Sequence, residues 1–231
     1  MNSKQEVFFN GISRDQLITM LDLQNKLNGV ININWVGERF PFLRAAFVEA
    51  SEAAEHYGWK WWKKQESDIP QVQIEIIDIL HFYLSDSIVK ANGNIQQAAD
   101  SVLSDLAGNG EIIFDGVVYA IENLQILELI DLVGGLACAK RKNYMLLGMC
   151  MKNVNLTWGS AFSQYVSKNI LNIFRQENGY KDGTYIKIWN GKEDNVRLAE
   201  LMQDLDPENI NYASALQDGL AKSYAAVKEM Q

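Results

Sequence analysis

The sequence contains few residues that would restrict or cross-link its backbone. Only three prolines and two cysteines occur among 231 residues. So few prolines permit long helices, because proline removes a helical hydrogen bond and clashes with the preceding turn. The two cysteines, Cys138 and Cys150, are too few for a disulfide framework and lack the spacing of a metal site. We therefore expect free thiols in a reducing compartment.

The chain is also short of positive charge and of long apolar runs. Its 21 Lys and Arg residues face 29 Asp and Glu residues, a net charge of −8. This balance argues against a nucleic-acid partner, because such proteins normally neutralise phosphates with basic residues. The longest apolar stretch, residues 121–139, is interrupted by acidic residues and predicts no membrane span. Residues 1–10 are polar and lack a signal-peptide pattern, so the expected location is the cytoplasm.

Apolar residues recur at helical spacing through most of the chain, and we predict one all-α domain, a multi-helix bundle, over residues 1–231. Asp68 followed by Pro70 marks one helix start, and Asp206-Pro207 marks the last. Residues 178–195 are rich in glycine and polar residues and predict a loop, in which residues 185–189 alternate like a short strand without a partner. The predicted helices cover residues 14–27, 40–56, 68–90, 95–107, 116–136, 140–153, 157–176 and 206–228.

Two acidic pairs share one spacing, Glu49-x-x-Glu52 and Glu75-x-x-Asp78. Residues three apart lie on one helix face, with Cβ atoms about 5–6 Å apart. Two such helices packed together would collect four carboxylates, the hard oxygen ligands that suit Mg²⁺. A solvated helix face is the more common explanation of a single pair. Both pairs, however, lie in apolar runs where an unpaired charge is costly to bury, which favours a shared cation.

A second feature is the segment Trp59-Lys60-Trp61-Trp62-Lys63-Lys64, directly after the first acidic helix. Three tryptophans in four positions cannot all face one core, so some are expected to meet a ligand or a partner subunit. Aromatic packing beneath a solvated run of lysines is an equally good explanation. If the segment faces a ligand, its lysines are placed to reach phosphates.

Residues 168–192 reverse the charge of the chain locally. Five basic residues face two acidic ones there, a local charge of +3 within a total of −8. Arginine offers phosphate a bidentate fork and lysine a point charge, so the segment predicts a phosphate clamp. An ordinary solvated loop is the alternative explanation.

In their order along the chain, these segments resemble the dimeric dUTPase family, a branch of the all-α nucleoside triphosphate pyrophosphohydrolases. The resemblance covers about residues 21–84 and 167–195, whereas residues 93–165 match only in helical character. The segments that carry it are LDLQNKLN, the Asn34-Trp35 pair, RAAFVEASEAAE, WKWWKK, EIIDILHF and KNILNIFRQENGYKDGTYIKIWNGKEDN.

The resemblance implies a cluster of two or more Mg²⁺ ions, for which Mn²⁺ can substitute, held by Glu49, Glu52, Glu75 and Asp78. Glu49 or Glu52 would orient the attacking water, and the loop 177–195 would close over the phosphates. Positions that fall where the family contacts phosphates are Arg175, Tyr180, Lys181, Lys187 and Asn195, with Lys63 as a further candidate. Positions that fall where it holds uracil and deoxyribose are Gln24, Trp62, His81, Phe82 and Asn172.

The implied activity is hydrolysis of dUTP to dUMP and pyrophosphate, by in-line displacement between the α and β phosphates, with dUDP as a further substrate. Such an enzyme limits uracil incorporation into DNA and supplies dUMP for thymidylate synthesis. The family forms homodimers with composite active sites, so a homodimer is expected, without nucleic-acid or membrane partners.

Two alternative functions remain open from the sequence. A related pyrophosphohydrolase would keep the carboxylates but prefer dCTP or a damaged nucleotide. A non-catalytic helical dimer would bind metal and nucleotide without turnover. With the resemblance, Gln24 and Asn172 favour uracil, because a side-chain amide can donate to O4 and accept from N3–H, two roles that cytosine reverses. Without it, ordinary helix-surface or core amides explain both residues.

Overall fold

The computed structural model describes residues 12–205 and 212–229, and this part of the chain is all-α. It contains ten α-helices, one 3₁₀ helix and two two-stranded ribbons, so the predicted fold class is confirmed. The helices are α1 (Arg14–Ile31), α2 (Trp35–Glu38), α3 (Phe42–Tyr57), α4 (Ile69–Lys90), α5 (Ile95–Leu106), α6 (Ile126–Cys138), α7 (Tyr144–Asn153), α8 (Trp158–Glu177), α9 (Asp194–Gln203) and α10 (Tyr212–Glu229). The strands are β1 (Glu111–Phe114), β2 (Val117–Ala120), β3 (Ile188–Trp189) and β4 (Lys192–Glu193), and the 3₁₀ helix spans Ile121–Asn123.

Several helices begin at the residue types that satisfy their first free N–H groups. The Asp68 side chain accepts from the backbone N–H of Gln71 at the start of α4, as its spacing to Pro70 predicts. Asn94 and Asn143 cap α5 and α7 in the same way. These local signals explain why the predicted bounds of α4 and α5 agree closely with the observed ones.

One predicted helix, residues 116–136, is wrong over nearly its first half. Residues 111–120 form an antiparallel hairpin in which Ile113 pairs with Val118, and a 3₁₀ turn at Ile121–Asn123 precedes α6, which begins at Ile126. The turn residues Asp115 and Gly116 both have positive φ, 50° and 77°. This is the conformation of an Asp-Gly hairpin turn, whose twist matches that of the flanking strands. Helical periodicity had obscured this turn signal.

The region after α8 also differs from the prediction. The segment 185–189 does have a partner, because β3 pairs with β4 across a turn at Asn190 and Gly191. Helix α9 follows directly and was not predicted. The last predicted helix corresponds to α10, while its proposed cap at Asp206 and Pro207 lies outside the described residues.

The contacts of the chain divide it into two compact units. The first unit holds the described residues 12–22 and 36–162, and the second holds residues 23–35, 163–205 and 212–229. The prediction of one domain over residues 1–231 stays a prediction. In the first unit α3 packs along α4 and α6, and in the second α9 packs on α10.

The packing of α3 depends on small residues. Ala46, Ala50 and Ala53 are buried along α3, so the backbones of neighbouring helices can approach closely. The backbone N–H of Asp68 donates to the carbonyl of His56 at 2.9 Å, which ties the start of α4 to the end of α3. This arrangement fixes the faces of both helices that carry the acidic pairs.

Within the described ranges, no helix is both long enough and apolar enough to cross a membrane. Both cysteines are free; Cys138 is exposed and Cys150 is buried.

Candidate active site

The packing of α3 on α4 brings three of the four predicted acidic residues together. Glu49 and Glu52 extend from α3, Glu75 extends from α4, and one carboxylate oxygen of each lies within 4.8 Å of those of the others. Glu75 is buried, Glu49 is half-buried and Glu52 is exposed. Three oxygen donors so close together can share a divalent cation.

The fourth predicted acid, Asp78, affects the pKa of Glu49. The pKa of Glu49 is raised from 4.5 to about 7, first by burial and then by the negative charges of Asp78, Glu52 and Glu75. Like charges held this close disfavour ionisation, and a bound cation would reverse that effect. We call Glu49, Glu52, Glu75 and Asp78 the carboxylate cluster.

His56 was not predicted as part of this site. Its Nε2 lies 3.6 Å from Oε1 of Glu75. His56 follows Glu52 by four positions, so helical spacing already places both on one face of α3. The sequence could therefore have placed His56 near the acidic residues, although a histidine near the end of a helix is only weak evidence of a functional site.

The tryptophan segment forms an exposed surface in the loop between α3 and α4. Trp61 is 89% exposed and Trp62 57% exposed, and their rings meet edge to face at 5.4 Å. Trp59 donates to Glu55 at 2.8 Å, and the Lys60 ammonium also binds Glu55. Lys63 is exposed. The tryptophans are therefore presented to solvent and do not fill the core.

Two further predicted substrate residues, His81 and Phe82, lie on α4. His81 is 5% exposed and Phe82 is half-buried. A cavity of about 600 Å³ lies beside α3, and its lining includes Phe47, Ala50 and Trp59. The carboxylate cluster, the tryptophan segment, His81 and Phe82 all belong to the first unit.

The other predicted site residues lie in the second unit, where Arg175 on α8 is the centre of a network. Its Nε and Nη2 donate to the two carboxylate oxygens of Asp194 at 2.7 and 2.8 Å. Nη1 donates to Asn172 at 3.0 Å and Nη2 to Asn195 at 3.1 Å. Tyr185 donates its hydroxyl to Asp194 at 2.8 Å. We call these five residues the Arg175 network.

The charges of this network satisfy one another. Burial by itself raises the pKa of Asp194, but hydrogen bonds from Arg175 and Tyr185 lower it, and the net shift is downward. Burial likewise lowers the pKa of Arg175, and the bond to Asp194 more than offsets it. Both groups therefore stay ionised at neutral pH.

The remaining predicted phosphate residues lie in the same loop. The guanidinium of Arg175 lies 6.0 Å from the ring centre of Tyr180. Lys181 donates to the carbonyl of Ile31 at 3.3 Å, and Lys187 lies 3.3 Å from Glu193. The side chains of Tyr180, Lys181 and Lys187 are largely exposed, so they remain accessible to an anion.

Gln24 is 3% exposed and belongs to a buried polar group in the second unit. Its amide oxygen accepts from the Tyr165 hydroxyl at 2.6 Å and from Asn169 at 3.4 Å. Its amide nitrogen donates to Asn28 at 3.0 Å. These bonds fix the amide orientation of Gln24, whereas Asn172 is half-buried beside Arg175.

The most important residue that the sequence did not reveal is Asp194. It is fully buried, yet in the sequence it stands in the polar run Gly191–Asn195, which reads as solvated loop. Only the folding of β3, β4 and α9 buries it against Arg175.

Comparison with known proteins adds one finding. A family model described as dUTPase matches residues 16–180, more than two thirds of the chain. The matched range includes the whole carboxylate cluster, Arg175 and Tyr180, and it ends before Lys181. A comparison with curated proteins gives no significant match.

Proposed function

The chain belongs to the all-α dimeric dUTPase family and is a dUTP diphosphatase, which converts dUTP to dUMP, and we propose that its reaction depends on Mg²⁺ bound by the carboxylate cluster. The observation that carries this proposal is the close approach of Glu49, Glu52 and Glu75, whose carboxylate oxygens lie within 4.8 Å of one another. An all-oxygen donor set suits Mg²⁺, and Mn²⁺ can take its place. Four carboxylates are enough donors for two or more ions.

The electrostatics of the cluster support a cation. The raised pKa of Glu49, about 7, reflects burial and the negative charges of three neighbouring carboxylates, a repulsion that a divalent cation would relieve. When bound, the metal neutralises the triphosphate and lowers the pKa of water. Glu49 or Glu52 orients the attacking water and accepts its proton, since both lie at the accessible side of the cluster.

The second unit supplies residues for the phosphates. We propose that Arg175, Tyr180, Lys181, Lys187 and Asn195 contact the triphosphate and that the loop 177–195 closes over it. The local excess of basic residues in an acidic chain supports this role, and so does the exposure of Tyr180 and both lysines. Lys63, exposed in the tryptophan segment, is a further phosphate contact in this proposal.

Base selection is assigned to Gln24 and Asn172, with Trp62, His81 and Phe82 completing the contacts to uracil and deoxyribose. The Tyr165 hydroxyl holds the Gln24 amide oxygen, and Arg175 holds that of Asn172, so both amides have fixed orientations. An amide N–H held in this way can donate to O4 of uracil, whereas cytosine presents an amino donor at the same position. Such a mismatch costs about 10⁴-fold in selectivity.

We further propose that dUDP is a substrate, because attack between the α and β phosphates does not require the γ phosphate. Hydrolysis of both nucleotides would limit uracil incorporation into DNA and supply dUMP for thymidylate synthesis. Two free thiols agree with a cytoplasmic enzyme.

A homodimer with composite active sites is the proposed assembly. Phe47, Val48, Trp59 and Trp62 are 39–57% exposed along α3 and the loop after it, close in sequence to the carboxylates. Exposed apolar residues grouped in this way are typical of an interface. Light scattering coupled to gel filtration should give twice the chain mass of 26.2 kDa, and a value equal to one chain would exclude the dimer.

The deciding assay is pyrophosphate release from dUTP, dCTP, dTTP and UTP, with and without Mg²⁺. We expect turnover of dUTP only, dependent on the metal. Glu52→Gln should reduce it by about 100-fold, or about 3 kcal/mol of transition-state stabilisation. Glu122→Gln, an exposed change in the 3₁₀ helix, is the matched control and should leave turnover unchanged.

The alternatives predict different results in the same assay. Comparable turnover of dCTP would assign the chain to a broader pyrophosphohydrolase activity. Binding of dUTP without turnover in Mg²⁺ would support a non-catalytic nucleotide-binding dimer.

A further inference from the structure

We propose that Asp194 is a positioning residue that decides which edge of the Arg175 guanidinium is available to the substrate phosphates. This inference rests on the proposed role of Arg175 as a phosphate contact. It gives a function to a buried carboxylate next to the basic segment 168–192, where an acid would otherwise oppose anion binding.

The first step concerns the capacity of the carboxylate. An ionised carboxylate has about four acceptor sites. Asp194 accepts four hydrogen bonds, two from Arg175, one from the Tyr185 hydroxyl and one from the backbone N–H of Asn195, at 2.7–2.8 Å. Its side chain is 0% exposed. Asp194 is therefore saturated and buried, which excludes it as a metal ligand or a substrate contact.

The second step concerns the donors of Arg175. A guanidinium has five N–H groups in a planar fork. Asp194 takes the Nε edge, the edge that could otherwise grip a phosphate in bidentate fashion. Asn195 takes the second N–H of Nη2, and Asn172 takes one N–H of Nη1. Among the contacts of the described residues, the N–H left for an anion is on Nη1, next to Asn172.

The third step is how Asp194 itself is held. Its backbone N–H donates to the carbonyl of Lys187 at 3.0 Å, at the start of α9. Tyr185 stacks on Tyr224 of α10 with ring centres 5.1 Å apart, and the Tyr224 hydroxyl accepts from the N–H of Ile186 at 3.1 Å. Trp189 packs against Tyr224 at 5.4 Å. Helix α10 thus braces the loop that presents Asp194 to Arg175.

These contacts have one consequence for binding. A guanidinium held on its Nε edge keeps a single orientation before the substrate arrives, so less rotational freedom is lost on binding. The Nη1 group of Arg175 also donates to Asn172, the proposed base contact. The Arg175 side chain therefore links the proposed phosphate contact to the proposed base contact. Asp194→Asn would remove the charge, place an N–H against a donor of Arg175 and release this orientation.

The test is steady-state dUTP hydrolysis by wild-type enzyme, Asp194→Asn, Arg175→Lys and the double variant, each checked for folding by circular dichroism. Asp194→Asn should raise the KM for dUTP and lower kcat/KM by about 10- to 100-fold, the range for a charged hydrogen bond. In the Arg175→Lys background, Asp194→Asn should lower kcat/KM by no more than about twofold, because the guanidinium that Asp194 holds is absent. Asp218→Asn, an exposed change on α10 outside the proposed binding residues, is the matched control.

A purely structural role gives a different pattern. In that case Asp194→Asn would lower the apparent kcat in proportion to the folded fraction, leave KM unchanged, and cost the same in both backgrounds. That result would overturn the proposal. Tyr185→Phe removes one of the four bonds without leaving a buried charge unpaired, and it should raise KM by about threefold in a fully folded protein. If Asp194→Asn fails to fold, an unchanged KM in Tyr185→Phe would overturn the proposal.

Failure of the proposed function can be distinguished from failure of the positioning role of Asp194. If the wild-type chain does not hydrolyse dUTP, the same variants can be titrated calorimetrically with Mg²⁺-tripolyphosphate. Weaker binding by Asp194→Asn and Tyr185→Phe, but not by Asp218→Asn, would support the positioning role alone. Equal binding by all of them would overturn it.

Discussion

The carboxylate cluster of the first unit and the Arg175 network of the second unit handle charge in opposite ways. In the cluster, acids lie beside acids, and the pKa of Glu49 is raised to about 7. In the network, a buried acid lies against a buried base, and the pKa of Asp194 is lowered by hydrogen bonds that outweigh its burial. The repulsion in the cluster is of the kind that a divalent cation would relieve, whereas the charges of the network neutralise one another. The two proposed roles, metal binding and phosphate positioning, therefore place different demands on stability.

The largest expected effect comes from breaking the network. Arg175→Met leaves the Asp194 carboxylate buried without its counter-charge, which should destabilise the protein by about 3 kcal/mol. Urea unfolding in chelator would measure the change. Lys181→Met, at an exposed position, is the control and should have little effect. A loss below about 1 kcal/mol for Arg175→Met would mean that the network contributes no more than a surface pair.

A substitution in the carboxylate cluster should raise the stability of the protein, whereas Arg175→Met lowers it. Because the folded-state pKa of Glu49, about 7, exceeds its usual 4.5, its contribution to stability is present below pH 4.5 and lost as the pH rises through 7. In metal-free protein at pH 8, Glu49→Gln should therefore stabilise the fold. Solvent screening of this half-exposed group limits the gain to about 1 kcal/mol, and at pH 5 the gain should nearly vanish.

Thermal unfolding at the two pH values, with and without Mg²⁺, would check this prediction. Excess Mg²⁺ should reverse the order of stabilities, since the wild-type cluster binds the ion more tightly than the variant does. Glu122→Gln should show neither effect. A wild-type protein that is more stable than Glu49→Gln in chelator at pH 8 would contradict the account of repulsion in the cluster.

The smallest effect is expected at an ordinary surface ion pair. Lys192 lies 2.7 Å from Glu200, and both side chains are substantially exposed. Lys192→Gln should change the thermal midpoint by less than about 2 °C, because exposed pairs are screened and lose side-chain entropy on forming. A larger shift would show that proximity to the Arg175 network strengthens pairs at its edge.

The two regions also differ in how far the sequence predicts them. The carboxylate cluster depends on local spacing, because residues three apart on a helix share a face, and two helices need only pack together. The Asp68 cap and the spacing of Glu49 from Glu52 and of Glu75 from Asp78 are enough to predict most of the geometry. The position of His56, four residues after Glu52 on the same face of α3, follows from helical spacing as well.

The Arg175 network depends on contacts between residues 19 or 20 positions apart. Burial of Asp194 requires β3, β4 and α9, and none of these has strong periodicity of its own. Two-residue strands carry too few residues to show alternation, and α9 was absent from the prediction. The hairpin 111–120 was missed for a different reason, because the glycine of its Asp-Gly turn was assigned to the start of the predicted helix 116–136.

The tryptophan segment gives the protein a built-in optical label. Trp61 is 89% exposed, whereas Trp189 in the second unit is 3% exposed and packs against Tyr224. Indole emission shifts to longer wavelengths in water, and only exposed rings are quenched by iodide. Quenching would therefore report ligand or partner binding at the loop after α3, while the iodide-resistant emission would include the signal of Trp189 beside the Arg175 network. Events at the tryptophan segment can thus be followed without attaching a dye.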